Sequence, residues 1–399
     1  MVGNPPFLSQ LSSLTALDRG CAAIIKQRLG RAASAYTDSS ALFLADALRK
    51  LAPAGRVSFL LPQSFLASRD AAVIRKMIRE SHTLEHLWVS GEHVFEQAFI
   101  ATCAPVVLSA HSPDANCTST YSLDFRESES KSCLDGESGS GTWSYLAANA
   151  RGLPEVTLNS CTTISDIAIA TADFRDEYYG LSGFIVDLQQ ADGRLFPKLI
   201  TTSMIDPACI GWGQQPHRIL KERWQSPRVD RERMHKEGSL SAWIEARLVP
   251  KVLIATQSNV IESVVDGDGI YLPCMPVITA CPKPGVGLWH LASALSSPIA
   301  CLYAVRHYAG TAMTPDAIKL SAKQVLTLPI PAPGGVWDSA ARRFRVASEC
   351  VDLDEKFKHL ILAGSDMCDA FGIKRAQRDE LAVWWENRLA KTMFKAQKK

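Results

Sequence analysis

No stretch of 18 consecutive apolar residues occurs in the chain, so no membrane-spanning helix is expected. The first residues lack the basic-then-apolar layout of a secretory signal. The 11 cysteines are scattered, with no Cys-x-x-Cys pair and no Cys/His cluster at zinc spacing. A disulfide framework and a structural zinc site are therefore not expected, and free thiols in a reducing, cytoplasmic compartment are. An excess of one charge is also missing: 43 Lys and Arg face 41 Asp and Glu, for a net charge of +2. Any polyanion must then be met by a local patch, not by the molecule as a whole. There is no internal repeat. What is present, 47% hydrophobic and 21% charged residues over 399 positions, suffices for two or three packed domains and excludes global disorder.

The pattern along residues 1–110 is that of an α/β sheet. Ala41, Leu44, Ala45, Leu48 and Ala52 recur at helical spacing, with Asp38 or Ser39 as the cap and Pro53-Ala54-Gly55 as the stop. Arg56 to Leu61 reads as a buried strand, broken by Pro62-Gln63-Ser64-Phe65. A second helix is predicted from about Ser68 to Glu80, then strands near Leu84–Val89 and Ala104–Leu108 around a turn at Ser90-Gly91-Glu92-His93. Residues 111–150, rich in Ser, Asp, Glu and Gly over their first part, read as a linker or long loop. Residues 151–335 read as mixed α/β. They include a strand at Lys251–Thr256, a hairpin turn at Asp266-Gly267-Asp268-Gly269 and a helical pattern from Leu288 to about His307. Residues 336–399 read as helical, Ala340–Leu362 and then Ala376–Phe394, ending in a Lys-rich tail.

The most distinctive word stands at the start: Asn4-Pro5-Pro6-Phe7, after the short apolar lead Val2-Gly3. An Asn side-chain oxygen accepts a hydrogen bond. The two prolines forbid a helix and aim carbonyls outward, and an aromatic can stack on a planar ring. Such a set can grip the exocyclic amino group of a flipped-out base. The alternative is a rigid loop with an aromatic plug. In an open α/β sheet ligands bind outside the carboxyl ends of the strands, and the word occupies that position if Met1-Val2 belongs to a strand.

Asn4-Pro5-Pro6-Phe7 resembles the catalytic motif of adenine-specific, S-adenosylmethionine-dependent DNA methyltransferases. Ser40–Leu44 and Leu48–Pro62 resemble that family's next helix–turn–strand block, and Gly91-Glu92-His93-Val94-Phe95 its hairpin motif. Pro250–Ile254, Ala294–Pro298 and Leu328–Pro331 are similar to the target-recognition region of type IIG restriction–modification enzymes. The resemblance implies a partial Rossmann-like methyltransferase sheet (its back half, 1–110), a linker (111–150), a mixed α/β DNA target-recognition domain (151–335) and a helical C-terminal segment (336–399). It implies Asn4, Pro5, Pro6 and Phe7 as catalytic residues. Phe7 and Phe95 would be the two faces on the target base, though Phe95 serves equally as a core aromatic of a hairpin. Ser64 and Phe65 are weaker candidates for the cleft.

The family's cofactor-binding half, a glycine-rich turn after a strand with an acidic residue on the ribose, precedes its Asn-Pro-Pro motif. Neither Gly139-Ser140-Gly141, Gly211-Trp212-Gly213 nor Gly267-Asp268-Gly269 has the strand–turn–helix context to replace it. The expectation is a fragment or one half of a split enzyme, with no transfer activity by itself. Its partners would be double-stranded DNA and a second polypeptide carrying the S-adenosylmethionine site. The alternatives are a non-catalytic DNA-binding specificity module, an inactive truncated remnant, or an enzyme acting on another amide or amine. No nuclease motif is read.

The clearest basic patch is His217–Lys236, where Arg218, Lys221, Arg223, Arg228, Arg231, Arg233 and Lys236 outnumber Glu222, Asp230 and Glu232. The six cations from Arg218 to Arg233 are the candidate DNA contacts. The same composition also suits an ordinary solvated face.

Overall fold

The computed structural model describes residues 1–8, 15–90, 94–95, 100–110, 117–122, 132–133, 141–158, 162–173, 175–308 and 317–394. The fold is mixed α/β with several sheets and a helical C-terminal region. It divides into two compact units: Met1–Leu153 with Val305–Ala317, and Pro154–Ala304 with Ile318–Lys399.

The first unit runs β1 (Val2–Gly3), α1 (Arg19–Leu29), α2 (Ser39–Leu48), β2 (Arg56–Phe59), β3 (Leu61–Pro62), α3 (Ser64–Ala67), α4 (Ala72–Ser81), β4 (Thr83–Val89), β5 (Thr102–Leu108), β6 (Cys117–Tyr121) and β7 (Ser132–Cys133). These strands form one sheet in the order β1-β2-β5-β4-β6-β7, with β3 beside β5. The pairs β1/β2 and β4/β6 are parallel, while β5 is antiparallel to both β2 and β4. Hence β1, β2, β4 and β6 share one direction, and their carboxyl ends share one rim. Helix α4 shows why the pattern was readable: Ile74 and Ile78, one turn apart, are fully buried, each contributing about 2 kcal/mol of apolar transfer. They join Leu44, Val57, Leu61, Leu84, Leu87 and Val107 in one core.

The expected linker is a correction. Within 111–150, β6 pairs in parallel with β4, and Trp143, Tyr145 and Leu146 are buried in the same core. The polar composition of the stretch hides a β-branched segment that extends the sheet and an aromatic one that joins its core. The buried Arg75 guanidinium ties the region down by donating to the carbonyls of Gly141 (3.0 Å), Phe65 (2.6 Å) and Ser68 (2.9 Å). Burial lowers its pKa to about 10. Phe65, a weaker cleft candidate, is instead a core residue, edge-on to Trp143 at 6.2 Å.

The second unit runs α5 (Ile164–Ile167), β8 (Ala168–Ala172), α6 (Arg175–Gly180), β9 (Ile185–Asp187), β10 (Lys198–Ile200), β11 (Ile205–Asp206), β12 (Cys209–Ile210), β13 (His217–Ile219), β14 (Glu222–Trp224), β15 (Pro227–Val229), α7 (Arg231–Glu237), α8 (Ser241–Arg247), β16 (Lys251–Ala255), β17 (Glu262–Asp266), β18 (Tyr271–Pro273), β19 (Ile278–Pro282) and α9 (Leu288–Leu295). Next come α10 (Pro298–Tyr308), whose last turn belongs to the first unit, then α11 (Ala322–Val325), α12 (Gly335–Glu349), α13 (Leu353–Ala370) and α14 (Arg375–Met393). Two four-stranded sheets, β17-β16-β19-β8 and β18-β10-β15-β9, accompany the ribbons β11-β12 and β13-β14.

Two sequence expectations are corrected by this unit. Asp266–Gly269 does not close a hairpin, because β17 pairs with β16 and β18 with β10, in different sheets. The Asp266 carboxylate accepts the amides of Ile270 (3.0 Å) and Tyr271 (3.1 Å) and turns the chain away. Gly269, at φ 65°, passes so close to Val249 that a Cβ would lie 2.7 Å from its carbonyl carbon. The single helix expected over 340–362 is two, since Asp352 starts α13 by accepting the amide of Glu355 at 2.8 Å. The helical C-terminal segment is part of this unit. Trp337 of α12 is buried and donates to the His290 carbonyl of α9 at 3.2 Å.

On α13, Gly364 lies under Trp385 of α14, where a Cβ would come 2.7 Å from the ring. Gly364→Ala is expected to cost about 1–3 kcal/mol through overpacking, read as a lower thermal midpoint. Among the described residues no single helix is long and apolar enough to cross a membrane.

Candidate functional site

The Asn4 stretch leaves β1 at its carboxyl end. Parallel pairing sets Val2 beside Ser58 and Gly3 beside Phe59, and the Leu60 amide donates to the Gly3 carbonyl at 3.0 Å. Gly3 is the residue that fits: a Cβ there would lie 3.1 Å from the Phe59 ring. Pro5 is buried, whereas Asn4 and Pro6 are exposed. One side chain, Ser39 at the first turn of α2, braces Pro6 and Leu8. Its hydroxyl donates to the Pro6 carbonyl (2.7 Å) and accepts from the Leu8 amide (3.0 Å), and its own amide donates to the Leu8 carbonyl (3.3 Å). The cap of α2 is Asp38, which accepts from the Ser40 amide at 2.9 Å, so Ser39 is released for this second task. The Pro6 carbonyl is engaged, whereas the Asn4 side-chain amide and the Pro5 carbonyl are among the groups of the motif with no hydrogen-bond partner among the described residues.

Ser39 is 9% exposed. Ser39→Ala is expected to cost about 1–2 kcal/mol, because it takes the hydroxyl away from both the Pro6 carbonyl and the Leu8 amide. Urea unfolding at unchanged m-value checks the stability, and faster hydrogen exchange at the Leu8 amide checks the location.

Phe95 does come to Phe7, with ring centroids 6.0 Å apart and an interplanar angle of 80°. The two rings are brought together edge to face, not as two parallel faces with a gap between them. Residues 91–93 of the expected hairpin motif lie outside the described residues. The two ends of the connection that carries Phe95 are held by Gln63, a buried side chain just beyond β3. Its amide nitrogen donates to the carbonyls of Ser90 (2.6 Å) and Thr102 (3.1 Å), and the Arg151 guanidinium donates to its amide oxygen. In the sequence Gln63 reads only as part of a chain break. Neither Ser39 nor Gln63 carries a signal there beyond standing next to a cap and a proline.

The basic patch separates into two kinds of residue. Arg228 is 4% exposed and turned inward: it donates to the carbonyls of Leu188 (2.7 Å), Phe196 (2.8 Å) and Gln189 (3.3 Å) and lies 4.8 Å over Trp212. It is a structural clamp, a correction to its expected role at the surface. Arg231 is bound to Glu245 (2.5 Å) and the Arg194 carbonyl, and Arg233 to Glu237 (3.1 Å) and the Gly183 carbonyl. Arg218, Lys221 and Arg223, on the β13–β14 ribbon, are exposed with no partner among the described residues.

No protein-family model matches the sequence, and no curated protein sequence matches it at a significant level. Its structural neighbours are restriction–modification enzymes and their modification subunits. The fold is similar to that of the type IIL restriction–modification enzyme MmeI, solved in complex with DNA, at 12% identity and a TM-score of 0.59 over 100% of this chain and 57% of that one. The type IIG restriction endonuclease BpuSI aligns over 98% of this chain and 54% of its own, at 12% identity and a TM-score of 0.36. The M protein of the type I enzyme EcoKI aligns over 31% of this chain and 24% of its own, at 17% identity and a TM-score of 0.23. The chain thus spans little more than half the length of MmeI.

Of the three glycine-rich stretches weighed as cofactor loops for S-adenosylmethionine, Gly139-Ser140 lies outside the described residues. Gly211 and Gly213 lie in the turn between β12 and β13, and Gly267 and Gly269 in the link between β17 and β18. Neither is the strand–turn–helix that presents amides to such a cofactor. Among the described residues strand β1 pairs with β2 on one side and with no strand on the other.

Proposed function

We propose that the chain is the base-gripping and target-reading portion of an adenine-specific DNA methyltransferase of the restriction–modification type. The observation that carries this is the Asn4–Phe7 stretch at the carboxyl end of β1, braced by Ser39 with the Asn4 amide and the Pro5 carbonyl left open. A base inside a duplex cannot offer its amino group for reaction and must be flipped out at a cost of a few kcal/mol. Stacking on Phe7, with Phe95 swinging out of its edge-on contact to make the second face, offsets part of that cost. The Asn4 amide oxygen and the Pro5 carbonyl each accept one amino hydrogen. The nitrogen lone pair then stays clear of the ring plane, and positive charge developing on the nitrogen is stabilised by two fixed dipoles. No strong base is needed near the motif, since an ammonium product sheds its proton to water.

The methyl donor, S-adenosylmethionine by the family resemblance, is held in this reading by further strands beside the open edge of β1, in the same or a second polypeptide. The competing reading, a DNA-binding specificity module without catalysis, draws on the exposed Arg218, Lys221 and Arg223. One experiment separates them. The chain, alone and together with a segment carrying a glycine-rich strand–turn–helix, is incubated with methyl-labelled donor and duplex DNA, and the DNA is digested to nucleosides. Label on adenine N6 with the added segment, and none for the chain alone, is expected. Duplex binding with no label under either condition favours the module.

A further inference from the structure

We propose that the β13–β14 ribbon is the element that enters a groove of duplex DNA, with Arg218 and Arg223 on phosphates and Lys221 at its tip. This rests on the proposed reading of DNA as the substrate. The ribbon is a two-stranded sheet of its own, with His217 opposite Trp224, Arg218 opposite Arg223 and Ile219 opposite Glu222. Its inner face is fixed. Ile219 is 1% exposed, the His217 ring is 2.8 Å from the Ser203 hydroxyl, the Trp224 indole donates to the Ile219 carbonyl at 3.2 Å, and the Leu220 amide donates to the Tyr178 hydroxyl at 3.0 Å.

The outer face is built against local preference. Cross-strand partners share a face at close range, and like charges directly opposite destabilise a ribbon, yet Arg218 and Arg223 stand opposite each other with no ion-pair partner among the described residues. Glu222 pairs with Ile219 and so lies on the other face. The two-residue turn is strained as well: Leu220 and Lys221 have φ of 51° and 71°, a left-handed pair that hairpins usually give to Asn and Gly. In this ribbon the pair projects a lysine from the tip. Two guanidinium groups and an ammonium on one rigid ribbon make a surface completed by a polyanion. The major groove of B-DNA admits a two-stranded ribbon of this size, whereas the deep, narrow major groove of an RNA duplex does not.

The test is duplex binding by the full chain, followed by fluorescence anisotropy from 50 to 200 mM salt. Each phosphate contact contributes about 0.9 to the slope of log K against log salt. The double variant Arg218→Ala/Arg223→Ala is therefore expected to flatten the slope by about 1.8 and to weaken binding about 50-fold near 0.1 M salt. Arg218→Lys/Arg223→Lys, which keeps the charges, should restore most of both and shows that the ribbon still folds. Lys236→Ala, whose ammonium is held by Glu232 at 2.6 Å, should change affinity less than about twofold, as for an exposed ion pair. If the chain binds duplex DNA and the double alanine variant leaves affinity and slope unchanged, the ribbon assignment is overturned while the substrate reading stands. If the chain binds no duplex DNA at all, or prefers duplex RNA, both fall together.

Discussion

Asn4→Ala is expected to lower methyl transfer to duplex DNA by about 10²–10³-fold, the loss typical of removing one preorganised dipole aimed at developing charge. The measurement is single-turnover transfer with the donor-binding segment present. The side chain is exposed and unpartnered among the described residues, so its removal costs the fold almost nothing. The loss should therefore appear in the rate of the transfer step and leave DNA affinity and the denaturation midpoint where they were. Asn4→Asp is the informative companion, because it keeps an acceptor at the same place. An alanine variant that transfers at the parental rate would sink the assignment of Asn4, whatever became of DNA binding.

The largest stability effect is expected in the second unit. Lys251 and Asp266 form an ion pair between β16 and β17 with side chains 0% and 1% exposed. Burial pulls the Lys251 pKa down from its usual value, and the Asp266 carboxylate opposes that shift. The carboxylate also receives the amides of Ile270 and Tyr271 at the point where the chain changes sheets. Asp266→Ala strands a buried ammonium and two amides at once. A cost of about 3–5 kcal/mol is expected from the charge alone, a large part of the roughly 5–15 kcal/mol that typically holds a domain together. Chemical denaturation followed through the tryptophans of this unit measures it. The double variant Lys251→Met/Asp266→Asn should recover much of the loss, since no charge is then left alone. If Lys251→Met/Asp266→Ala, which removes the lone charge but leaves the amides without their acceptor, is no better than Asp266→Ala, the amide bonds, not the ion pair, dominate.

The first unit was legible to the extent that its side chains obey a period. Ile74 and Ile78 face inward because the helix repeats, and Val57 of β2 and Leu61 of β3 stand in a short apolar run that the sequence marks as strand. The carboxyl-end position of Asn4 depends on a two-residue strand that only pairing with β2 makes visible. What escaped was set by contacts far apart in sequence. Nothing local marks Ser39 as the brace of Pro6, 33 positions away, or Gln63 as the tie between Ser90 and Thr102. The basic patch misled for a related reason. Composition counts charges, but Arg228 spends its guanidinium on three carbonyls that the sequence cannot place beside it. The Asp266–Gly269 stretch has the composition of a hairpin turn, and only the carboxylate's hold on Ile270 and Tyr271 sends its two arms to different sheets.

The first unit is written in two pieces of sequence, since Val305–Ala317 returns to it after the excursion that begins at Pro154. Within it the rings of Tyr145 and His307 lie 6.3 Å apart, and His307 is buried. During synthesis the ribosome must therefore emit the whole of Pro154–Ala304 before that contact closes, and closing a loop of this length carries a slowly growing entropic cost. A polypeptide ending at Leu153 has Tyr145 without His307. A ring that closes late also couples the two units in time, because the second has its whole stretch from Pro154 to Ala304 in hand before the first is complete.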